Sequence, residues 1–273
     1  MALEPSSLLL EHDAARPAIR EIGADRPFAW LAAGWADLRA NPIASLAYGL
    51  LFAIAGDLIV VFAWRNGKLF IAATSGFFLI APLLAGGLYE ISRQRAAGLR
   101  STFFSSLAGG KRNIVELTKL GLVLAAIGLL WERSSNFLFS LLAPSVAPDL
   151  LGLLAVMNQS AEMRDMLFIW LLSGGLLALL VFFIAVVSVP LLLDRPQVGF
   201  LTAMHTSLRA VSHNLPVILL WAALVVILTT LGFVTLFFGL VVLMPWIGHA
   251  TWHAYRDLVA WDGQPAHAAP DDR

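Results

Sequence analysis

The chain has 273 residues, 59% of them hydrophobic and 13% charged, and its 18 basic residues balance its 18 acidic ones. About a quarter of an ordinary soluble domain is charged, so a water-soluble fold of this length could not hide so much apolar surface; the balanced charge leaves no net field to draw the molecule to nucleic acid. Cysteine is absent, which removes disulfides, thiol catalysis and thiolate metal sites together.

Residues 1–26 carry both signs of charge, two prolines and no periodic apolar face, and read as a disordered cytoplasmic tail. MALEPSSLLLEHDAARP lacks the basic start and long apolar segment of a cleaved signal, so insertion is expected to fall to the first membrane helix. A membrane domain is expected over residues 27–259, with spans at about 42–63, 69–92, 114–131, 167–193, 215–231 and 233–254, and a cytoplasmic tail over 260–273. The last two spans share an apolar run from Leu215 to His249. As one helix it would measure roughly 50 Å, too long for a single crossing, so a turn is expected near Thr229, Thr230 and Gly232. Between the third and fourth spans, residues 134–165 are too short to cross twice and are expected on the outer surface or dipping in and back.

Six spans place every Lys and Arg on the N-terminal side of the membrane except Arg65, Lys68, Arg133 and Arg164. Basic residues gather on cytoplasmic loops, so both termini are expected in the cytoplasm of a multi-pass cell membrane protein.

An internal repeat is visible when the chain is aligned on Asn41, Asn113 and Asn214, each just before an odd-numbered span. Apolar residues precede each Asn at fixed offsets: Leu31, Phe103 and Met204, then Trp35, Leu107 and Leu208. Phe28, Leu31, Trp35 and Leu38 in the first copy, and Leu201, Met204, Leu208 and Val211 in the third, follow the spacing of an amphipathic helix, which belongs at the membrane interface. Each even-numbered span carries one proline, Pro82, Pro190 or Pro245, expected to bend it. The fold class is thus all-α: a polytopic transmembrane bundle of six spans in three kinked helix pairs, each pair preceded by an interfacial helix.

Few side chains suggest chemistry. His249, His253 and Asp257 are spaced by four and four, so one helical stripe carries two imidazoles and a carboxylate. That is the start of a metal site. Against it stand Trp246, Trp252, Tyr255 and Trp261 around the stripe, which fit an interfacial aromatic belt. His205 and His213 read as solvated, and no histidine lies at mid-depth to hold a redox core. Asp57 and Glu90 fall within spans, where an ionisable group is costly and marks a functional candidate; Glu90 could instead pair with Arg93, and Glu116 with Lys119. Gly86–Gly87 and Gly174–Gly175 fit close helix contacts. No phosphate loop, nucleophile elbow or HExxH motif occurs, and no catalytic residue is assigned.

The stretches IAPLLAGGLYEISRQRAAG, VSVPLLLDR and GLVVLMPWIGHATWHAYRDLV resemble a family of predicted bacterial integral membrane proteins, domain of unknown function family 2189. The resemblance covers about Trp30 to Val259 and is most specific over GHATWHAYRDLV. It implies a bacterial cytoplasmic-membrane protein with no established reaction, and makes His249, His253, Tyr255, Arg256 and Asp257 the positions of most interest. The expected function is non-enzymatic: a transporter-like bundle or a membrane-organising subunit, without a cofactor, in contact with membrane lipids, and with a second copy or another membrane protein as conceivable partner. The alternatives are a metal- or haem-dependent membrane enzyme using the His249, His253 and Asp257 stripe, and a lipid- or partner-binding scaffold presenting its amphipathic helices and the basic segment 93–112.

Overall fold

The computed structural model describes residues 17–65, 84–142 and 161–260. Helix dominates: α1 (Arg26–Ala40), α2 (Pro42–Arg65), α3 (84–96), α4 (Phe103–Gly110), α5 (Ile114–Leu142), α6 (Ala161–Asp194), α7 (Phe200–His213), α8 (Leu215–Val234) and α9 (Leu240–Leu258). The one sheet among the described residues pairs β1 (Ala18–Ile19) with β2 (Val259–Ala260), antiparallel, Ala18 opposite Ala260. Four helical stretches are long and apolar enough to cross a membrane: Pro42–Val61, Phe103–Ser135, Arg164–Asp194 and Leu215–Val234.

These correspond to the first, third, fourth and fifth expected spans. Most of the second expected span, with Pro82, lies outside the described residues, and α3 is its end. Over the expected sixth span at 233–254 the helix is α9, which starts at Leu240 and is not among these four stretches. Thr229, Thr230 and Gly232 stay helical inside α8. The chain turns later, through Leu236 (φ 51°) and Phe237 (φ 65°), both left-handed. Thr235 makes the turn feasible: its hydroxyl donates to the Gly232 carbonyl at 2.8 Å and accepts from the Gly239 N–H at 2.8 Å, satisfying groups freed where α8 stops. The basic segment 93–112 holds the end of α3 and all of α4, the latter where the second short helix is expected. The expected surface segment 134–165 is helical at both described ends, with residues 143–160 outside the description. Of the tail expected to be disordered up to Arg26, residues 1–16 lie outside the described residues, and 17–26 are held in place. There β1 pairs with β2, Arg20 N–H donates to the Leu258 carbonyl, and Ile22 N–H donates to the Asn214 side chain.

Directional bonds put the starts of α2, α5 and α8 and the ends of α3, α6 and α9 on one side of the bundle. Asn113, just before α5, donates to the carbonyls of Leu192 and Val198 at the end of α6. Asn214, just before α8, donates to the Arg20 carbonyl beside the end of α9. Tyr255 of α9 donates to Asp194 of α6 at 2.8 Å. Residues 18 and 260 share that side.

Two of the short helices, α1 and α7, end in the same cap. Asn41 N–H donates to the carbonyls three and four residues back, and its carbonyl accepts from Ser45; Asn214 repeats the pattern with Ala210, Val211 and Ile218. Their φ angles are −133° and −126°, outside the helical region, so the chain redirects there and starts a new helix. Each short helix packs on a different neighbour. α1 lies on α9 and α7 on α6. α4 lies on α3, with Gly109 against the Glu90 side chain.

Proline and serine open backbone groups that neighbours then use. Pro245 has no N–H for the carbonyl of Val241, and that carbonyl faces Gly49 of α2 so closely that a Cβ there would stand 1.9 Å from it. In α6 the Ser207 hydroxyl inserts into the ladder, donating to the Phe183 carbonyl at 2.6 Å and accepting from Val187 N–H at 3.2 Å, three residues before Pro190.

Candidate functional site

At the end of the bundle where α1, α2, α3 and α9 meet, polar side chains form a continuous buried chain. Asp37 comes from α1, Ser45 from the first turn of α2, Ser92 and Arg95 from α3, and His249 and His253 from α9. Hydroxyl hydrogens fix its direction. Ser92 Oγ donates to Asp37 Oδ2 at 2.5 Å. Its single hydrogen is thereby used, so at 2.8 Å from His249 Nδ1 it accepts, and Nδ1 carries the ring proton. Nε2 of the neutral ring is then an acceptor, and takes the Ser45 hydroxyl at 2.9 Å. The order is Ser45 to His249 to Ser92 to Asp37, every hydrogen pointing towards the carboxylate.

Asp37 is the sink. Besides Ser92 it accepts from His253 Nε2 at 2.9 Å and pairs with Arg95 through Oδ1. Burial pushes the Asp37 carboxyl up, but the hydrogen bond and charge of His253 and the Ser92 hydroxyl outweigh it, so its pKa lies below the ordinary carboxylate value. Ser45 and His249 are wholly enclosed, at 0% exposure, while the Arg95 side chain is 41% exposed. The chain therefore opens to solvent at its Asp37 end and closes at Ser45.

Three carboxylates bind the rest of this end together, one each from α3, α6 and α9, and each meets an arginine from another part of the chain. Glu90 is paired by Arg93 of its own helix, as the spacing suggested, and also by Arg112. Asp194 faces Arg256 at 3.7 Å. Asp257 takes both Nε and Nη2 of Arg26, at 2.8 and 2.6 Å, and Trp30 Nε1 at 2.7 Å. The pairs thus tie α3 to the segment before α5, α6 to α9, and α9 to α1.

The sequence-derived candidates sort accordingly. The stripe exists, but its members diverge: His249 goes to serines, His253 to Asp37 and Asp257 to Arg26 and Trp30. Among the described residues no group of three or more His, Asp or Glu is placed to hold a metal ion. The aromatic residues beside the stripe, Trp252 and Tyr255, are buried rather than spread as a belt. Glu90 is buried and paired, whereas Asp57 faces outward from α2. His205 and His213 are exposed, and Glu116 pairs with Lys119. Sequence reasoning missed Asp37, Ser45, Ser92 and Arg95. One signal was present: Asp37 shares a helix face with Trp30, Leu31 and Gly34, and a carboxylate on the buried side of an amphipathic helix needs a partner.

Four apolar crossing helices, with charge gathered at one end, define a polytopic integral membrane protein. In agreement, a family model described as "Predicted integral membrane protein (DUF2189)" matches residues 69–194, from the second expected span to the end of α6. No curated protein and no solved structure matches the chain.

Proposed function

We propose that the protein is a non-enzymatic, transporter-like bundle of six spans that takes up protons through the chain from Asp37 to Ser45. The supporting observation is a wholly buried imidazole with a serine hydroxyl on each ring nitrogen. Histidine can accept a proton on one nitrogen and release one from the other, and the hydroxyls on either side can each donate or accept. With a proton added to Asp37, both hydroxyls can rotate and the ring proton move from Nδ1 to Nε2, so that Asp37 donates to Ser92, Ser92 to Nδ1 and Nε2 to Ser45; the Ser45 hydrogen is then free to be donated onwards, one turn inside the first crossing helix.

Six spans follow if α3 is the end of a crossing helix and α9 is itself one; the support is the antiparallel turn between α8 and α9 and the shared side of the helix ends. Orientation with both termini in the cytoplasm of a bacterial inner membrane rests on the bias of basic residues. Proteoliposomes enclosing a pH-sensitive dye test the reading. Under an imposed pH gradient, uptake should exceed that of empty vesicles in the wild type and fall to the empty-vesicle level in His249→Phe. Equal uptake with and without protein would end the proposal.

A second reading, a leaflet-organising scaffold, is favoured by one observation. Trp35, Leu107 and Leu208, each six residues before its repeat Asn, are 39%, 42% and 40% exposed. Three apolar side chains in one register suit a collar in the acyl boundary. Quenching of Trp35 fluorescence by lipids brominated near the headgroup would support it, and quenching only from water would not.

A further inference from the structure

The opposite end of α2 presents two features that the proton chain does not use. The first is Asp57, which lies in the Pro42–Val61 crossing stretch, is exposed on the bundle surface, and has no hydrogen bond or ion pair among the described residues. A carboxylate facing hydrocarbon without a partner is costly, and such groups persist where something offsets the cost. The second is a partly open cavity of about 250 Å³ between α2, α8 and α9, lined by Phe52, Gly56, Val60, Phe233, Phe237 and Met244. It is apolar. For scale, an engineered apolar cavity of about 150 Å³ stays dry and admits benzene.

The two features adjoin. Gly56 and Val60 line the cavity, and Asp57 is next to the first and one helical turn from the second, so the carboxylate stands at the edge of the lined face. The local backbone is arranged around that space. Phe237 holds a left-handed conformation that a bulky side chain rarely adopts, and its ring occupies the place a Cβ on Gly56 would take, 2.7 Å from Cδ1. Substitution at Gly56 would drive the ring away.

We propose that this is a binding site for an amine-headed phospholipid, with an acyl chain in the cavity and the ammonium group on Asp57. Charge chooses between headgroups: a carboxylate attracts an ammonium and repels a phosphatidylglycerol or cardiolipin phosphate that lacks one. Location chooses the tail, since the partly open cavity lies against α2 and α8, both long and apolar enough to cross a membrane. The inference is independent of the proton chain, which lies at the other end of α2.

The test uses full-length protein in nanodiscs of equal phosphatidylethanolamine and phosphatidylglycerol, with retained lipid counted by native mass spectrometry after mild delipidation. The wild type is expected to retain the ethanolamine lipid about fivefold over the glycerol lipid, the size of one partly solvated ion pair. Asp57→Asn should erase that preference while still holding lipid, and Asp57→Lys should reverse it. Val60→Trp, which fills the cavity from the exposed side, should lower retention of both. Wild-type protein without preference, Asp57→Asn with the preference intact, or Val60→Trp with undiminished retention would each overturn the proposal. Thermal midpoints of the variants, matched to the wild type, separate these outcomes from misfolding.

Discussion

The two ends of α2 are built on different principles. At its start, Ser45 and Tyr48 are wholly buried and hydrogen-bonded to side chains from other elements, and α1, α3 and α9 meet around them in a closed network. Beyond Gly56, its described side chains Asp57, Leu58, Val60 and Val61 are exposed, and the neighbours are apolar. The difference reflects the solvent. Lipid tails are as apolar as Leu, so apolar contact gives helices little preference for one another, and position must be fixed by hydrogen bonds, ion pairs and close backbone approach. The bundle concentrates those directional contacts at one end and leaves the other adaptable.

That contrast can be broken most severely at Asp37. Asp37→Ala strips partners from Ser92, His253 and Arg95 at once and should cost about 3 kcal/mol, read as a lowered thermal midpoint in detergent; the figure is at the low end for a buried pair because Arg95 is partly solvated. Next comes Gly49→Ala, whose methyl would meet the Val241 carbonyl; about 2 kcal/mol of destabilisation is expected in the same assay. Acid sharpens the comparison further. The folded-state pKa of Asp37 is depressed, so its contribution is complete above the ordinary carboxylate value of about 3.9 and is lost as pH falls through the lower folded value. The gap in midpoint between wild type and Asp37→Asn should therefore shrink as pH falls through that window and stay constant above it. Smallest is Val60→Ala at the adaptable end, where an exposed side chain should move stability by no more than about 0.5 kcal/mol.

Much of this architecture is legible in the sequence because it rests on local pattern. Apolar runs give the crossing helices at Pro42–Val61, Arg164–Asp194 and Leu215–Val234, and Asn41 and Asn214 mark the joints between short and long helices. The turn after α8 was misplaced by several residues: Gly232 and two threonines read as a breaker, yet helix propensity is a weak prior in lipid, where every backbone group must be satisfied internally. The stripe of His249, His253 and Asp257 was visible as spacing, but spacing cannot tell convergence from divergence. Ser45 and His249 are 204 positions apart, and Asp37 and His253 are 216 apart. Only the packing of α1 and α2 on α9 brings them together, and nothing in a local window encodes it. The Asn joints and the arginine–carboxylate pairs stand between these cases: Asn41 and Asn214 cap in the same way, and Glu90, Asp194 and Asp257 each meet an arginine, while the hydrogen-bonded chain draws its side chains from α1, α2, α3 and α9.

The orientation of that chain is open to direct measurement by nitrogen-15 spectroscopy of the protein in lipid, with His249 assigned by comparison with His249→Phe. A neutral imidazole protonated at Nδ1 and bare at Nε2 is the predicted result. A ring protonated at Nε2 alone would point the hydrogens away from Asp37 and contradict the account.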